Sequence, residues 1–174
     1  MRDSDALENN PHVSRSALAA LHGEVYGWAL SRCDFNHAAA EDLVQQAYVE
    51  LLSGNARFDN RSSLKTFVFS VVQNLARGRF RRLSSRLRLV KTYQQDIAGE
   101  TIDNGEPRVD DGVWRAVRAL PARQRDVIEL VFCRDLTVEQ ASAVMGVTTG
   151  TGRTHYDRAK KALRDRLRDW AEED

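Results

Sequence analysis

The side chains best suited to chemistry are concentrated in RGRFRRLSSRLRLVK, Arg77 to Lys91, which carries seven basic groups and no acid. Arginines neutralise phosphates and aromatic rings accept unstacked bases, so one reading is a face for single-stranded nucleic acid that includes Phe69, Gln73 and Phe80. The other reading is a solvated helix end favoured by the helix dipole, with Phe69 and Phe80 turned toward another helix or the following segment. Immediately downstream the sign reverses. TYQQDIAGETIDNGEPRVDDG, Thr92 to Gly112, holds six acids against one arginine, together with glycine and proline breakers. That composition predicts a linker between two modules.

The other reactive residue types offer less. His12, His22, His37 and His155 have no ligand spacing, and no nucleophile lies in a pattern with a base, so neither a metal enzyme nor a small hydrolase is indicated. No catalytic residue, metal ligand or cofactor motif is expected. Cys33 and Cys133 form no C-x-x-C pair and are expected to be buried free thiols. The 174 residues suffice for one ordinary domain or two small ones, and the formal charge of +1 hides the segregation described above. No apolar run is long enough to span a bilayer, and the polar, acid-rich start lacks the order of a secretory signal, so the expected location is the cytoplasm.

Helical periodicity organises the first module. Leu18, Leu21, Val25 and Trp28 recur at helical spacing behind a capping Ser14. Leu43, Val44, Ala47, Tyr48, Leu51 and Leu52 form a second stripe that ends near Gly54. Leu64, Phe67, Val68, Val71, Val72, Leu75 and Ala76 form a third, with Ser62 or Ser63 as its cap. Three helices can share one core.

The second module opens with Val113, Trp114, Val117 and Leu120 on a short helix ended by Pro121, followed by a helix whose core face is Val127, Ile128, Leu130 and Val131. Thr137 and Gln140 have the spacing of a capping box, and Val138, Ala141, Val144 and Met145 continue to Gly146. After Gly146, Thr148 can cap a longer helix that buries Gly152, Tyr156, Ala159, Leu163, Leu167 and Trp170. A short helix, a glycine turn and a longer helix make helix-turn-helix geometry, in which the second helix enters the major groove. Its outward positions are Gly150, Thr154, Asp157, Arg158 and Lys161, flanked by Arg153 and His155. A helical hairpin with a charged surface has the same pattern.

Taken together, AEDLVQQAYVELL and RFDNRSSLKTFVFSVVQNLARGRFRR, then ALPARQRDVIEL and LTVEQASAVMGVTTGTGRTHYDRAKKAL, resemble the bacterial sigma factors of the extracytoplasmic-function class. The resemblance implies an all-α chain of two small helical domains, at 12–88 and 111–172, joined by a flexible acidic linker at 89–110. It implies a factor that directs core RNA polymerase to specific promoters, with an anti-sigma factor as a further candidate partner. Glu41, Asp42 and Gln45 would then face the polymerase clamp. Asn60, Arg61, Ser62 and Ser63 would hold the flipped base of the melted minus-ten element, with Asn74, Arg77 and Arg81 beside its backbone. Thr137, Thr148, Gly150, Thr151, Arg153, Thr154, His155, Arg158 and Lys161 would meet the minus-thirty-five element. In this class the acidic linker threads the channel through which nascent RNA leaves; a plain solubilising linker has the same composition. A stand-alone dimeric helix-turn-helix regulator is the alternative, distinguished by palindromic sites and independence of polymerase.

The chain departs from the class pattern at several positions. Ala39 and Gln46 stand where acids are usual, and Gly78 stands where an acid usually follows the asparagine of the third helix. His155 replaces a frequent arginine. Gly152 stands where a branched apolar residue normally anchors the recognition helix; a gap partly filled by Tyr156, and a helix frayed at its start until DNA orders it, are therefore expected.

Overall fold

Ser14 opens the first helix by accepting the Ala17 amide on its hydroxyl at 3.1 Å, one of the donors that a helix start leaves without a partner. In the computed structural model, backbone is described for residues 13–91 and 111–173, and side chains for 13–86 and 112–168. Helix α1 (Arg15–Arg32) buries Leu18, Val25, Trp28 and Ala29. The chain then reverses through Asp34 and Phe35, both at positive φ, and Asn36 caps α2 (His37–Leu52) by accepting the Ala39 amide at 2.9 Å. Gly54, at φ 77°, turns the chain out of α2. Ser63, one of the two candidate caps, accepts the Thr66 amide at 3.1 Å and starts α3 (Leu64–Lys91).

Each of these three helices packs against the other two, and the outcome for α3 differs from the expected stripe. Val68, Val71 and Val72 of that stripe are buried, and Phe69 is fully buried as the reading that turned it toward another helix expected, with Gln73 also buried, whereas Leu64, Phe67, Leu75 and Ala76 are only half-buried. A helix touching two neighbours buries a wider arc than one stripe, and here the arc is rotated toward Phe69. The Phe69 ring stacks on buried Trp28 with centroids 6.0 Å apart, and the Trp28 indole donates to the Phe69 carbonyl at 3.3 Å. Phe80 does face solvent. Helix α3 also runs straight through Gly78, around which a Cβ would meet nothing.

The chain divides into two compact units between Gly105 and Glu106. In the second, α4 (Asp111–Arg118) buries Ala116 and Val117, with Leu120 just beyond; Val113 and Trp114, expected in the core, are exposed. Pro121 occupies the N-cap of α5 (Ala122–Ile128) rather than its first turn. That helix widens into a π-turn, Glu129–Cys133, closed by the Arg134–Glu129 ion pair at 3.2 Å. Helices α6 (Val138–Met145) and α7 (Thr149–Glu173) complete the unit, and α7 packs on α4, α5 and α6. Leu120, Ile128 and Ala159 form a core cluster flanked by Tyr156, Ala162 and Leu163. The described residues contain helices and turns and no strand. The cysteines are less enclosed than expected, Cys33 being half-buried and Cys133 exposed; partial burial of each sulfur still pushes both thiols above their ordinary pKa. The Trp170 side chain and the linker from Thr92 to Asp110 lie outside the described residues.

Candidate nucleic-acid interface

The helix-turn-helix is fixed by local hydrogen bonds before any tertiary contact is considered. The Thr137 hydroxyl accepts the Gln140 amide at 3.1 Å, and the Gln140 side-chain oxygen accepts the Thr137 amide at 2.9 Å, completing the capping box. Gly146 ends α6 in the left-handed region at φ 65°, and the Val147 amide returns to the Ser142 carbonyl at 3.0 Å. Arg123 donates to the Met145 carbonyl at 3.2 Å, satisfying another group at that helix end. Thr148 then caps α7 by accepting the Thr151 amide at 3.2 Å. Removing the first of these caps has a calculable effect. Thr137→Ala is expected to lower unfolding free energy by about 1 kcal/mol, read from urea denaturation of the full chain.

The outer face of α7 presents Gly150, Thr151, Arg153, Thr154, Arg158 and Lys161 to solvent, with His155 half-buried and Asp157 exposed among them. Thr148 and Thr151 share a hydroxyl contact at 2.9 Å, and the Thr154 hydroxyl donates to the Gly150 carbonyl at 3.0 Å. These threonines already serve the helix start, which leaves Arg153, Arg158 and Lys161 as the long cationic reach of this face.

At Gly152 the structure corrects the expectation of a gap. A Cβ there would stand 1.8 Å from Ser142 Oγ and 2.9 Å from Ser142 Cβ, so α6 and α7 meet backbone to side chain with no room for a methyl group. The Ser142 hydroxyl is held in place by donating to the Val138 carbonyl at 2.6 Å. Tyr156 fills no void; its ring stacks on exposed Phe132 at 6.2 Å, with the Lys160 ammonium 5.0 Å from its centroid. Helix α7 is formed from Thr149 onward. No sequence rule pairs Gly152 with Ser142, because the residues become neighbours only when the two helices cross.

In the first unit, Asn60 takes a positive φ of 59°, and the Arg61 amide donates to Asp59 Oδ1 at 3.2 Å. The loop is anchored from below by Phe58, whose ring packs on Phe67 at 5.1 Å. Asn60, Arg61, Ser62 and Ser63 are exposed. Asn74, Arg77 and Arg81 recur at helical spacing on α3, Asn74 and Arg81 exposed and Arg77 half-buried. At 1.5 Å per residue they begin roughly 16 Å along the axis from the loop, so a ligand touching both groups must be extended. Arg79 is drawn away from this role. It donates to the Ala39 carbonyl and to Gln46 Oε1, both at 3.2 Å, tying α3 to α2 at the two positions where acids are usual.

On α2, Glu41, Asp42 and Gln45 are exposed. Glu41 and Gln45 line a groove of about 370 Å³ with Val44 and Tyr48 of α2 and His22 and Tyr26 of α1. The sequence reading missed the α1 side of this groove. His22 and Tyr26 are four apart on one helix and so legible as a pair, but their partners on α2 are not.

Residues 18–86 match the family model described as Sigma-70 region 2, and residues 111–163 match that described as Sigma-70, region 4. The chain is similar to the ECF RNA polymerase sigma factor SigF of Caulobacter vibrioides, 26% identical over 162 residues that cover 93% of this chain and 89% of that protein. It is also similar to the ECF RNA polymerase sigma factor SigC of Mycobacterium tuberculosis, 28% identical over 161 residues, covering 91% and 85% respectively. Among solved structures it shares the fold of the sigma factor RpoE from Bartonella quintana, crystallised with the anti-sigma factor NepR, at a TM-score of 0.69 and 23% identity over 88% of this chain and 96% of that one. The fold of CnrH, in complex with the cytosolic domain of CnrY, gives a TM-score of 0.61 at 22% identity over 94% and 95%.

Proposed function

The chain belongs to the sigma-70 family, in its extracytoplasmic-function class, and from that premise we propose which of its residues carry each contact. It directs core RNA polymerase to promoters and so initiates transcription. The observation that carries this is the order of the two matched regions, region 2 before region 4, along one chain. A stand-alone regulator would need only the second.

The first domain, 12–88, binds the polymerase clamp through Glu41, Asp42 and Gln45, and holds the minus-ten element through Asn60, Arg61, Ser62, Ser63, Asn74, Arg77 and Arg81. A base flipped from the duplex costs a few kcal/mol, which these contacts must offset. The second domain, 111–172, reads the minus-thirty-five element with Arg153, Thr154, His155, Arg158 and Lys161, while Thr137, Thr148, Gly150 and Thr151 set the backbone at the phosphates. The segment at 89–110 links the two. The protein works by binding energy rather than bond chemistry, acts in the cytoplasm, and is a target for an anti-sigma factor, as the RpoE of Bartonella quintana is for NepR. Among the described residues no helix is long and apolar enough to cross a membrane.

Transcription in vitro with core polymerase on a pool of promoters tests this reading. The intact chain should programme initiation, and Arg77→Ala with Arg81→Ala should lower open-complex formation by about tenfold at moderate salt, with a shallower salt dependence. No initiation with any cognate polymerase would overturn the function, and an indifferent double variant would overturn only the melting assignment.

A further inference from the structure

Helices α6 and α7 meet without room to spare where Gly152 lies against Ser142, both residues buried. A Cβ on Gly152 would overlap the Ser142 hydroxyl, and would lie 2.9 Å from Ser142 Cβ but 3.5 Å from Ser142 Cα. Rotating the hydroxyl away relieves only the first of these contacts. The 2.9 Å approach is to an atom fixed on the backbone, so ordinary contact at about 3.5 to 4 Å requires the helices to part by roughly 1 Å. The distance to Cα is already ordinary contact. At this point the crossing is set by a single Cβ, which Ser142 carries and Gly152 lacks.

Ser142 is also tied into the turn. Its hydroxyl donates to the Val138 carbonyl at 2.6 Å, and its own carbonyl accepts the Val147 amide at 3.0 Å across Gly146. Helix α7 is held from its other side by Ala159, in the core with Leu120 and Ile128. The short α6, jointed at Gly146, is therefore the part that yields when the crossing opens. Ser142 lies four residues from Gly146 and Thr137 nine, so a parting of about 1 Å at Ser142 grows to about 2 Å at Thr137. Direct hydrogen bonds tolerate far less, their donor to acceptor distances spanning about 2.7 to 3.2 Å. Thr137 is exposed at the start of α6, and Arg153, Arg158 and Lys161 project from α7, so the crossing fixes how far apart these two groups stand.

We propose that Ser142 and Gly152 are positioning residues for promoter discrimination: the single Cβ between α6 and α7 sets the offset between phosphate anchoring at Thr137 and base readout from α7. The proposal rests on the reading of α7 against the minus-thirty-five element and adds what fixes its register. Both residues are buried, so they act through the helices they separate and touch no DNA themselves. Moving the carbon from α6 to α7 keeps the crossing, because the new Cβ then faces only a Cα at 3.5 Å. A carbon on each helix opens it.

The test uses holoenzyme assembled from core polymerase and the full-length chain, with a promoter pool randomised across the minus-thirty-five element and sequenced before and after selection. Ser142→Gly with Gly152→Ala exchanges the carbon, and the helix propensity lost on α6 is regained on α7. This chain should rank sequences as the parent does. Ser142→Ala with Gly152→Ala crowds the crossing, and its preference for the parent's best sequence over single-base variants should fall by about tenfold at one or more positions. Loss of folded protein alone would lower occupancy of every sequence by one factor and leave those ratios unchanged; thermal melting followed by circular dichroism reads it separately. If the crowded chain does not fold, Ser142→Gly with Gly152→Val replaces it, because the Cβ then fits and only the two added methyl groups push the helices apart. The proposal is overturned if the crowded chain keeps the parent's ranking or the exchanged chain loses it. Arg153→Ala with Arg158→Ala separates the two readings. If that variant changes the ranking and the crowded chain does not, the positioning role falls and the minus-thirty-five reading stands. If the ranking is indifferent to both, both fall.

Discussion

Gly152→Val is expected to destabilise the second unit by about 3 kcal/mol and, with it, to abolish the minus-thirty-five contact proposed for α7. Two effects of opposite sign compete at this position. A helical glycine costs about 1 kcal/mol relative to alanine, so any residue with a Cβ gains on propensity. Against that, the new Cβ would lie 1.8 Å from Ser142 Oγ and 2.9 Å from Ser142 Cβ, and Ser142 is tied to Val138. Overpacking of this kind costs about 1 to 3 kcal/mol, and valine adds two further methyl groups at the upper end of that range. The steric term wins. Gly152→Ala should show the same sign at smaller size, and Ser142→Gly in the same chain should return part of the loss, giving a coupling of about 1 to 2 kcal/mol in a double-mutant cycle. Urea denaturation checks the stability arm and promoter footprinting the functional one. A Gly152→Ala chain more stable than the parent would show that propensity governs and that α6 and α7 do not meet as closely as described.

Phe69→Ala should remove about 3 to 5 kcal/mol from the first unit, a large share of the roughly 5 to 15 kcal/mol of an ordinary domain. The side chain is fully buried against Trp28, and truncation removes both its buried area and an aromatic contact worth about 1 kcal/mol beyond area. Phe80→Ala is the matched control. Its ring is 73% exposed on the same helix, and its truncation should change stability by no more than about 0.5 kcal/mol. Thermal unfolding followed by circular dichroism distinguishes the pair, and equal effects would place Phe69 outside the core.

That pair also shows where the sequence was legible and where it was not. Helix starts and stops depend on residues one turn apart, so Ser14, Ser63, Thr137 with Gln140, Gly146 and Thr148 could be read directly from spacing. The buried arc of α3 depends on which neighbours it meets: periodicity found Val68, Val71 and Val72 but extended the arc to Leu64, Phe67, Leu75 and Ala76 instead of to Phe69 and Gln73. The same limit accounts for Val113 and Trp114, whose apolar character does not say which side of a short helix is covered. The Arg79 tie to α2 joins residues with no sequence relation, and the π-turn at Glu129–Cys133 follows no spacing rule that the sequence displays. For the candidate site, the exposed basic residues of α7 were legible because they are the complement of an apolar stripe. The His22–Tyr48 and Tyr26–His37 contacts were not, since each needs two helices already packed.

Helix α3 is continuous over 28 residues, from the Ser63 cap through the Trp28 stack to Lys91, passing Gly78 without a break. At 1.5 Å per residue this is a rod of about 42 Å. Its first half is clamped by two neighbours, and its second half carries the arginines. If α3 meets a phosphate backbone as proposed, a rod with no joint at Gly78 holds its arginines at a fixed spacing from the Trp28–Phe69 stack, so they engage the strand as one unit rather than one by one.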